Sequence, residues 1–183
     1  MALLSRIFYP KEKEEMGTEM EKLRLYHIRE GYVEFLHKID YRVQWNKGQR
    51  RPYVGIVLTV NGYDYYVPLE SPKPNHANIK SGGPVLKLDN GLLGIMGFNN
   101  MIPVKKYQLL EFNILEEVDE QYRNLLLKQL AYCEKNRGLI LSRAETTYRK
   151  ATDGKNPFYR RVCCDFKRLE QNCDKYKVKK RPV

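Results

Sequence analysis

Two β-rich runs, "YVGIVLTV" and "YDYYVPL", are separated only by Asn61-Gly62. Asn-Gly is the dipeptide that suits a two-residue type I′ turn, because both central positions need φ > 0, so the pair predicts a tight antiparallel hairpin. No other feature restricts the fold as strongly. A hairpin of this register closes at Asn61-Gly62 and opens at its other end. The basic residues before "PYVGIVL" and the polar residues after "YYVPL" are therefore expected side by side.

The flanking segments supply the rest of an α+β pattern. "LRLYHI" alternates like a strand, with Leu23, Leu25 and His27 on one face, and "EGYVEFLHKIDYRV" places Tyr32, Phe35, Leu36 and Ile39 at amphipathic-helix spacing. His37 falls beside that stripe without a metal-type neighbour three or four residues away, so it is expected at a helix edge. Asp89-Asn90-Gly91 suggests a second antiparallel pairing, and "KKYQLLEFNIL" a further strand. From Asp119 the period changes to helical, with Tyr122, Leu125, Leu126, Gln129, Leu130 and Cys133 in phase and an end expected near Asn136 to Gly138, the glycine being a C-cap signal. Ile140 to Lys150 predicts another helix or its continuation. Phe158 to Tyr176 predicts a last helix burying Val162, Phe166 and Leu169. Strands early and helices late give an α+β domain with an antiparallel sheet. Residues 1–19 are expected to form an N-terminal extension and residues 20–183 one domain, with the basic end "KYKVKKRPV" frayed.

Charge narrows the partner. Lys and Arg total 33 against 22 Asp and Glu, a formal charge of +11 that favours a polyanion such as nucleic acid. No long apolar run is present, so no membrane partner is expected, and the start lacks the features of a secretory signal, which predicts a cytoplasmic protein. Cys133, Cys163, Cys164 and Cys173 fit neither a CxxC zinc knuckle nor a disulfide framework, and are expected to be small buried hydrophobes in a reducing compartment.

The stretch "PLESPKPNHANIK" then holds the densest chemistry in the chain. RNA can be cut without a metal when its own 2′-hydroxyl attacks the adjacent phosphate; this needs proton transfer at two oxygens and cations to hold the phosphorane charge. The open end of the hairpin offers Arg51 and Tyr53 on one side, and Glu70, Ser71, Lys73 and His76 on the other. No HExxH, GxSxG, P-loop or paired-carboxylate cluster competes, so neither metal nor cofactor is expected. "GLLGIMG" lacks the lysine and helix that follow a phosphate loop, and predicts a sheet turn. As an isolated loop the same stretch is equally an ordinary polar turn.

Several segments together resemble one family. "LYHIREGYVEFLHKIDYRV", "RPYVGIVL", "YYVPLESPKPNH", "GFNNMIPV" and "YRNLLLKQLAYCEKN" occur in the order found in the ToxN/AbiQ endoribonuclease toxins of bacterial type III toxin-antitoxin systems. The similarity runs from about Leu23 to near Lys175. It implies a strongly twisted antiparallel sheet with flanking helices, similar to the MazF/Kid toxin fold, and a metal-independent ribonuclease leaving 2′,3′-cyclic phosphate ends. It also implies an RNA antitoxin, a repeat-derived pseudoknot that the toxin cuts into units and that closes with it into a toxin-RNA hetero-oligomer. Cellular and phage RNA would be the substrates. Ser71 and Lys73 match the serine and lysine of the motif and would face the scissile phosphate. Arg51 stands where relatives often carry lysine, His76 matches a histidine shortly after the motif lysine, and Tyr53 is a neighbour. Glu70 departs from the pattern, since relatives have threonine there.

For RNA outside the cleavage point, the sequence nominates Trp45, Lys47 and Arg50 in the loop before Arg51, together with Lys80, Lys105, Lys106, Arg149 and Lys150, as backbone-tracking cations and a stacking ring. Arg143, Arg160 and Arg161 belong to the same group. Two alternatives stand beside the nuclease: a non-catalytic RNA-binding regulator, and a toxin of the same fold that acts on a protein.

Overall fold

The computed structural model describes residues 22–177; the expected extension, residues 1–19, and the basic end beyond residue 177 lie outside them. The hairpin forms as its turn dictates. β2 (Tyr53–Val60) and β3 (Tyr63–Glu70) pair antiparallel from Val60 opposite Tyr63 to Tyr53 opposite Pro68. Asn61 at φ 52° and Gly62 at φ 78° supply the two left-handed residues. The register shifts between Val54 and Leu58, where Gly55 sits against the Tyr66 ring so closely that a Cβ would meet it at 2.1 Å.

β3 is the axis of a seven-stranded antiparallel sheet. β1 (Arg24–Ile28) lies on the far side of β2 and carries β7 (Leu109–Leu110) at its outer edge. The other flank of β3 is shared: β6 (Ile102–Pro103) pairs with Tyr65 and Tyr66, and β5 (Ile95–Gly97) pairs with Leu69 and Glu70. β4 (Val85–Lys87) completes the edge beside β5, joined to it through the expected Asp89-Asn90-Gly91 corner. The further strand expected in "KKYQLLEFNIL" is only the two residues of β7.

Helices cover the sheet. α1 (Glu30–Ile39) buries Tyr32, Val33 and Leu36, each such side chain contributing about 1.5–3 kcal/mol. α2 (Glu120–Lys135) starts at Asp119, whose carboxylate accepts the Tyr122 N–H at 3.0 Å. It ends at Asn136, within the expected Asn136 to Gly138, but Gly138 is not its cap: that residue lies in the first turn of α3 (Arg137–Thr152) with open space around it. The predicted single last helix is two, α4 (Pro157–Val162) and α5 (Phe166–Cys173). The break has tertiary causes: the Cys164 amide donates to the Asn99 carbonyl at 2.8 Å and the Asp165 amide to Asp40 Oδ2 at 2.6 Å, while the Asp165 side chain caps α5. Inside, Tyr65, Tyr148 and Phe166 pack edge-on and stacked, and all four cysteines are buried free thiols, as expected. No helix among the described residues is long and apolar enough to cross a membrane.

Candidate active site

The open end of the hairpin does gather the two polar clusters. The Leu69 amide donates to the Pro52 carbonyl at 2.9 Å, and β5 holds the last residues of β3 from the other side. The corner before β5 presses on the same point: Gly94, at φ +94°, lies where a Cβ would stand 1.9 Å from the Glu70 carbonyl oxygen. The backbone at Glu70 and Ser71 is thus fixed from three directions. Beyond it the chain leaves the sheet; Ser71 and Lys73 are exposed, and a short 3-10 turn, Pro74–Asn78, buries His76.

Glu70 stands at the centre. Its Oε2 accepts Lys73 Nζ at 2.6 Å and faces His76 Nε2 at 3.8 Å; its Oε1 accepts Gln44 Nε2 at 3.1 Å and faces Arg51 Nη1 at 3.9 Å. Burial works to raise the carboxyl pKa, but the hydrogen bond and charge of Lys73, the charge of Arg51 and the Gln44 amide hold it below its ordinary value. Gln44 is itself braced, donating also to Asn100 Oδ1 at 3.1 Å, while Asn100 donates to the Arg42 carbonyl at 2.8 Å. Arg51 is buried at 7% exposure, with Nε donating to the Trp45 carbonyl at 2.9 Å and Nη1 without a hydrogen-bond partner.

A cleft of about 360 Å³ opens beside these groups, lined by Lys47, Arg50, Arg51, Pro52, Leu69, Glu70 and Ser71, with Glu117, Asp119 and Tyr122 on the α2 side. Lys47, Gly48 and Gln49 all adopt left-handed φ, at 54°, 65° and 64°, which curls the basic loop over this cleft before the Arg51 amide returns to the Asn46 carbonyl at 3.2 Å. Burial, then Arg51 and Lys73, lower the Lys47 pKa. Burial, then the nearby Glu117 charge, raise that of Tyr122.

The nominated residues therefore divide. Arg51, Glu70, Ser71, Lys73 and His76 come together, with Lys47 and Arg50 in the same cleft. Tyr53 is not placed with them: its side chain is 1% exposed, enclosed in the core rather than open to the cleft, and the same burial lifts its phenol pKa well above the ordinary range. Trp45 is exposed and packed on His37 at 3.9 Å between ring centroids, which leaves His37 the helix-edge residue expected, its Nδ1 at 2.6 Å from the Val43 carbonyl. Lys80 opens instead on a separate cleft with Phe158 and Val162. Lys105 sits at the opposite end of the hairpin, over the Tyr63 ring and paired with Asp174 at 3.3 Å; seven strand residues from Glu70 put that end roughly 23 Å away. Lys106 follows Lys105 in the chain. Arg149 is exposed in the last turn of α3, and Lys150 lies over the Tyr159 ring. These last four are not part of the cleft.

Sequence reasoning missed Gln44, Asn100, Glu117 and Asp119. Asn100 carried a signal as part of the "GFNNMIPV" segment and Asp119 as the start of the helical period, though neither signal pointed to this site; Gln44 and Glu117 reach it from 26 and 47 residues away in the chain with no local pattern to mark them. Among the described residues no group of three or more His, Cys, Asp or Glu is placed to hold a metal ion.

A model of the toxin ToxN family, of type III toxin-antitoxin systems, matches residues 24–174. The chain belongs to this family. ToxN-family relatives span nearly its whole length: endoribonuclease ToxN of Bacillus thuringiensis subsp. kurstaki is 34% identical over 169 residues, covering 87% of this chain and 87% of that protein. Endoribonuclease AbiQ of Lactococcus lactis subsp. lactis is 30% identical over 168 residues, 86% of this chain and 91% of that protein. A solved structure from work on selective toxin inhibition by a non-coding RNA pseudoknot matches with a TM-score of 0.75 at 34% identity, over 87% of this chain and 100% of that one. The match begins at the first strand and ends just past α5, so ToxN-family similarity covers every element that builds the cleft.

Proposed function

We propose that this chain is an endoribonuclease toxin that cuts RNA by attack of a ribose 2′-hydroxyl on the adjacent phosphorus, displacing the 5′ oxygen and leaving 2′,3′-cyclic phosphate and 5′-hydroxyl ends. The observation that carries the reading is the convergence of Arg51 and Lys73 on one anionic point beside the exposed Ser71 hydroxyl, at the wall of an open cleft. Ser71 donates a hydrogen bond to the phosphate or accepts one from the 2′-hydroxyl. Lys73 and Arg51 stabilise the charge that grows on the phosphorane, the contribution that a fixed cation makes best in a partly desolvated site. His76, at 4% exposure, acts as a positioning residue behind Glu70. Lys47 and Arg50 track the strand on the 5′ or 3′ side through backbone phosphates.

The reaction needs no metal, because the cations that a metal would replace are side chains. The regulator that fits is RNA: a repeat-derived pseudoknot antitoxin, cut into units by the toxin and closed with it into a hetero-oligomer in the cytoplasm; selective toxin inhibition by a non-coding RNA pseudoknot in a structural relative supports an RNA regulator. The formal charge of +11 supports both this partner and cellular and phage RNA as substrates.

The test is cleavage of a labelled RNA by wild type and Ser71→Ala, with and without EDTA. A loss of at least about a hundredfold with RNA binding retained is expected of the variant, and no effect of EDTA. A Ser71→Ala protein that cuts at the wild-type rate would sink the site, and a wild type silenced by EDTA would sink the metal-free chemistry.

A further inference from the structure

We propose that Glu70 is an internal anion that keeps the place of the substrate phosphate in the free protein, and that RNA binding exchanges this carboxylate for a phosphodiester. The proposal rests on the reading of the cleft as the site where an RNA phosphate docks.

Four groups turn towards one carboxylate, Lys73 at 2.6 Å, Gln44 at 3.1 Å, His76 at 3.8 Å and Arg51 at 3.9 Å. A phosphodiester offers the same things to such a cluster: one negative charge and two acceptor oxygens. Arg51 explains why an anion must be there at all times. A guanidinium buried this deeply is costly unless an opposite charge stands near it. Glu70 supplies that charge without accepting a hydrogen bond from it, so Nη1 keeps an unused donor inside the protein. That donor becomes useful only when another acceptor comes closer than the carboxylate does.

The two bonds that Glu70 makes differ in how easily they are given up. Gln44 is held by Asn100, which is anchored on the Arg42 carbonyl, so this side of the carboxylate is bracketed. Lys73 comes from the exposed loop, its side chain 44% exposed, and its ammonium is free to change partners. As long as Lys73 is spent on Glu70 it cannot serve a phosphorane. Entry of a phosphate moves Lys73 across, turns the carboxylate towards Gln44, and leaves Arg51 facing the new anion. Glu70 thus sets the affinity for RNA by competing for the cations that bind it.

Thermal unfolding with inorganic phosphate as the probe separates this idea from the cleavage reading, because it needs no turnover. Glu70→Gln is expected to melt below wild type in phosphate-free buffer, and phosphate is expected to raise its Tm by several times more than it raises that of wild type. In a steady-state assay the KM for RNA should fall by about tenfold, the order set by removing one nearby like charge. Glu70→Thr should behave in the same way, and it keeps the test available if the glutamine variant does not fold. Equal phosphate shifts in wild type and variant would overturn the proposal, as would a fall in kcat with KM unmoved, which would make Glu70 a group of the chemical step.

Discussion

Gly94→Ala changes no charge and should nevertheless disable the cleft. Gly94 carries φ +94°, and a Cβ there would stand 1.9 Å from the Glu70 carbonyl oxygen, 3.0 Å from its carbon and 3.1 Å from the Ser71 carbonyl carbon. All three are backbone atoms, so no side chain can swing aside. The gap must open by about 1.5 Å to reach the 3.4 Å of ordinary contact. Two costs add. Left-handed φ in a residue with a Cβ costs about 1 kcal/mol, and forcing a packed backbone apart about 1–3 kcal/mol more, so stability should drop by about 2–4 kcal/mol. For a chain of this size that lowers Tm by roughly 10 °C. The displaced peptide is the one that carries Ser71, and misplacement of a reacting group by about 1 Å costs on the order of a hundredfold in rate. Cleavage of labelled RNA at a temperature where the variant is still fully folded should therefore fall by about that factor. Gly154→Ala is the control: it shares a positive φ, +71°, but a Cβ there meets nothing within 4 Å, so it should lose only the conformational part and no activity. A Gly94→Ala protein that melts and cuts like Gly154→Ala would refute the claim that this corner holds the catalytic backbone in place.

Glu170 is buried and accepts the hydroxyls of Tyr65 at 2.8 Å and Tyr148 at 2.7 Å, so Glu170→Ala should cost about 3 kcal/mol in urea unfolding by stranding buried donors, and Glu170→Gln clearly less. Equal losses would show that the acceptor is not what matters. Burial works to raise the Asp40 pKa, but hydrogen bonds from Arg42 and from the Asp165 amide outweigh it and hold Asp40 below 3.8; stability from this depressed group is complete above that value and lost as pH falls through the lower folded one. The Tm gap between wild type and Asp40→Asn should accordingly be constant near neutrality and shrink on acidification below pH 3.8, and a gap that stays constant into acid would contradict the assignment. Tyr53→Phe, which removes a hydroxyl held inside the core, should cut RNA within about twofold of wild type; a hundredfold loss would return Tyr53 to the site.

The hairpin was legible because its instruction is local. Two residues with φ > 0 between two β-rich runs set the register next to the turn, with Val60 opposite Tyr63, and so bring the two polar clusters to one end; the shift between Val54 and Leu58, where Gly55 meets the Tyr66 ring, then decides that Tyr53 faces Pro68 and that Arg51 reaches Glu70. The face presented by each strand residue was not legible. Tyr53, Val54 and Gly55 are all buried, as is the run from Tyr65 to Leu69, since helices and other strands cover this end of the sheet. Alternation carries no information when both faces are inside, so Tyr53 read as a neighbour of the phosphate although it points into the core. The last helix was misjudged for a related reason: its apolar period runs on through Cys163 and Cys164, and only hydrogen bonds to Asn99 and Asp40 stop the helix there.

The sequence by itself determined the α+β order, the hairpin, the membership of a family whose motifs survive in order, and the loop that carries Ser71 and Lys73. Each is written in neighbouring residues, as turn chemistry, periodicity or a short motif. Tertiary structure alone decided what surrounds Glu70. Gln44 and Arg51 reach it from the loop before β2, Asn100 braces Gln44 from the turn before β6, and His76 folds back from the turn after β3; which way a carboxylate turns is settled by the donors packed around it.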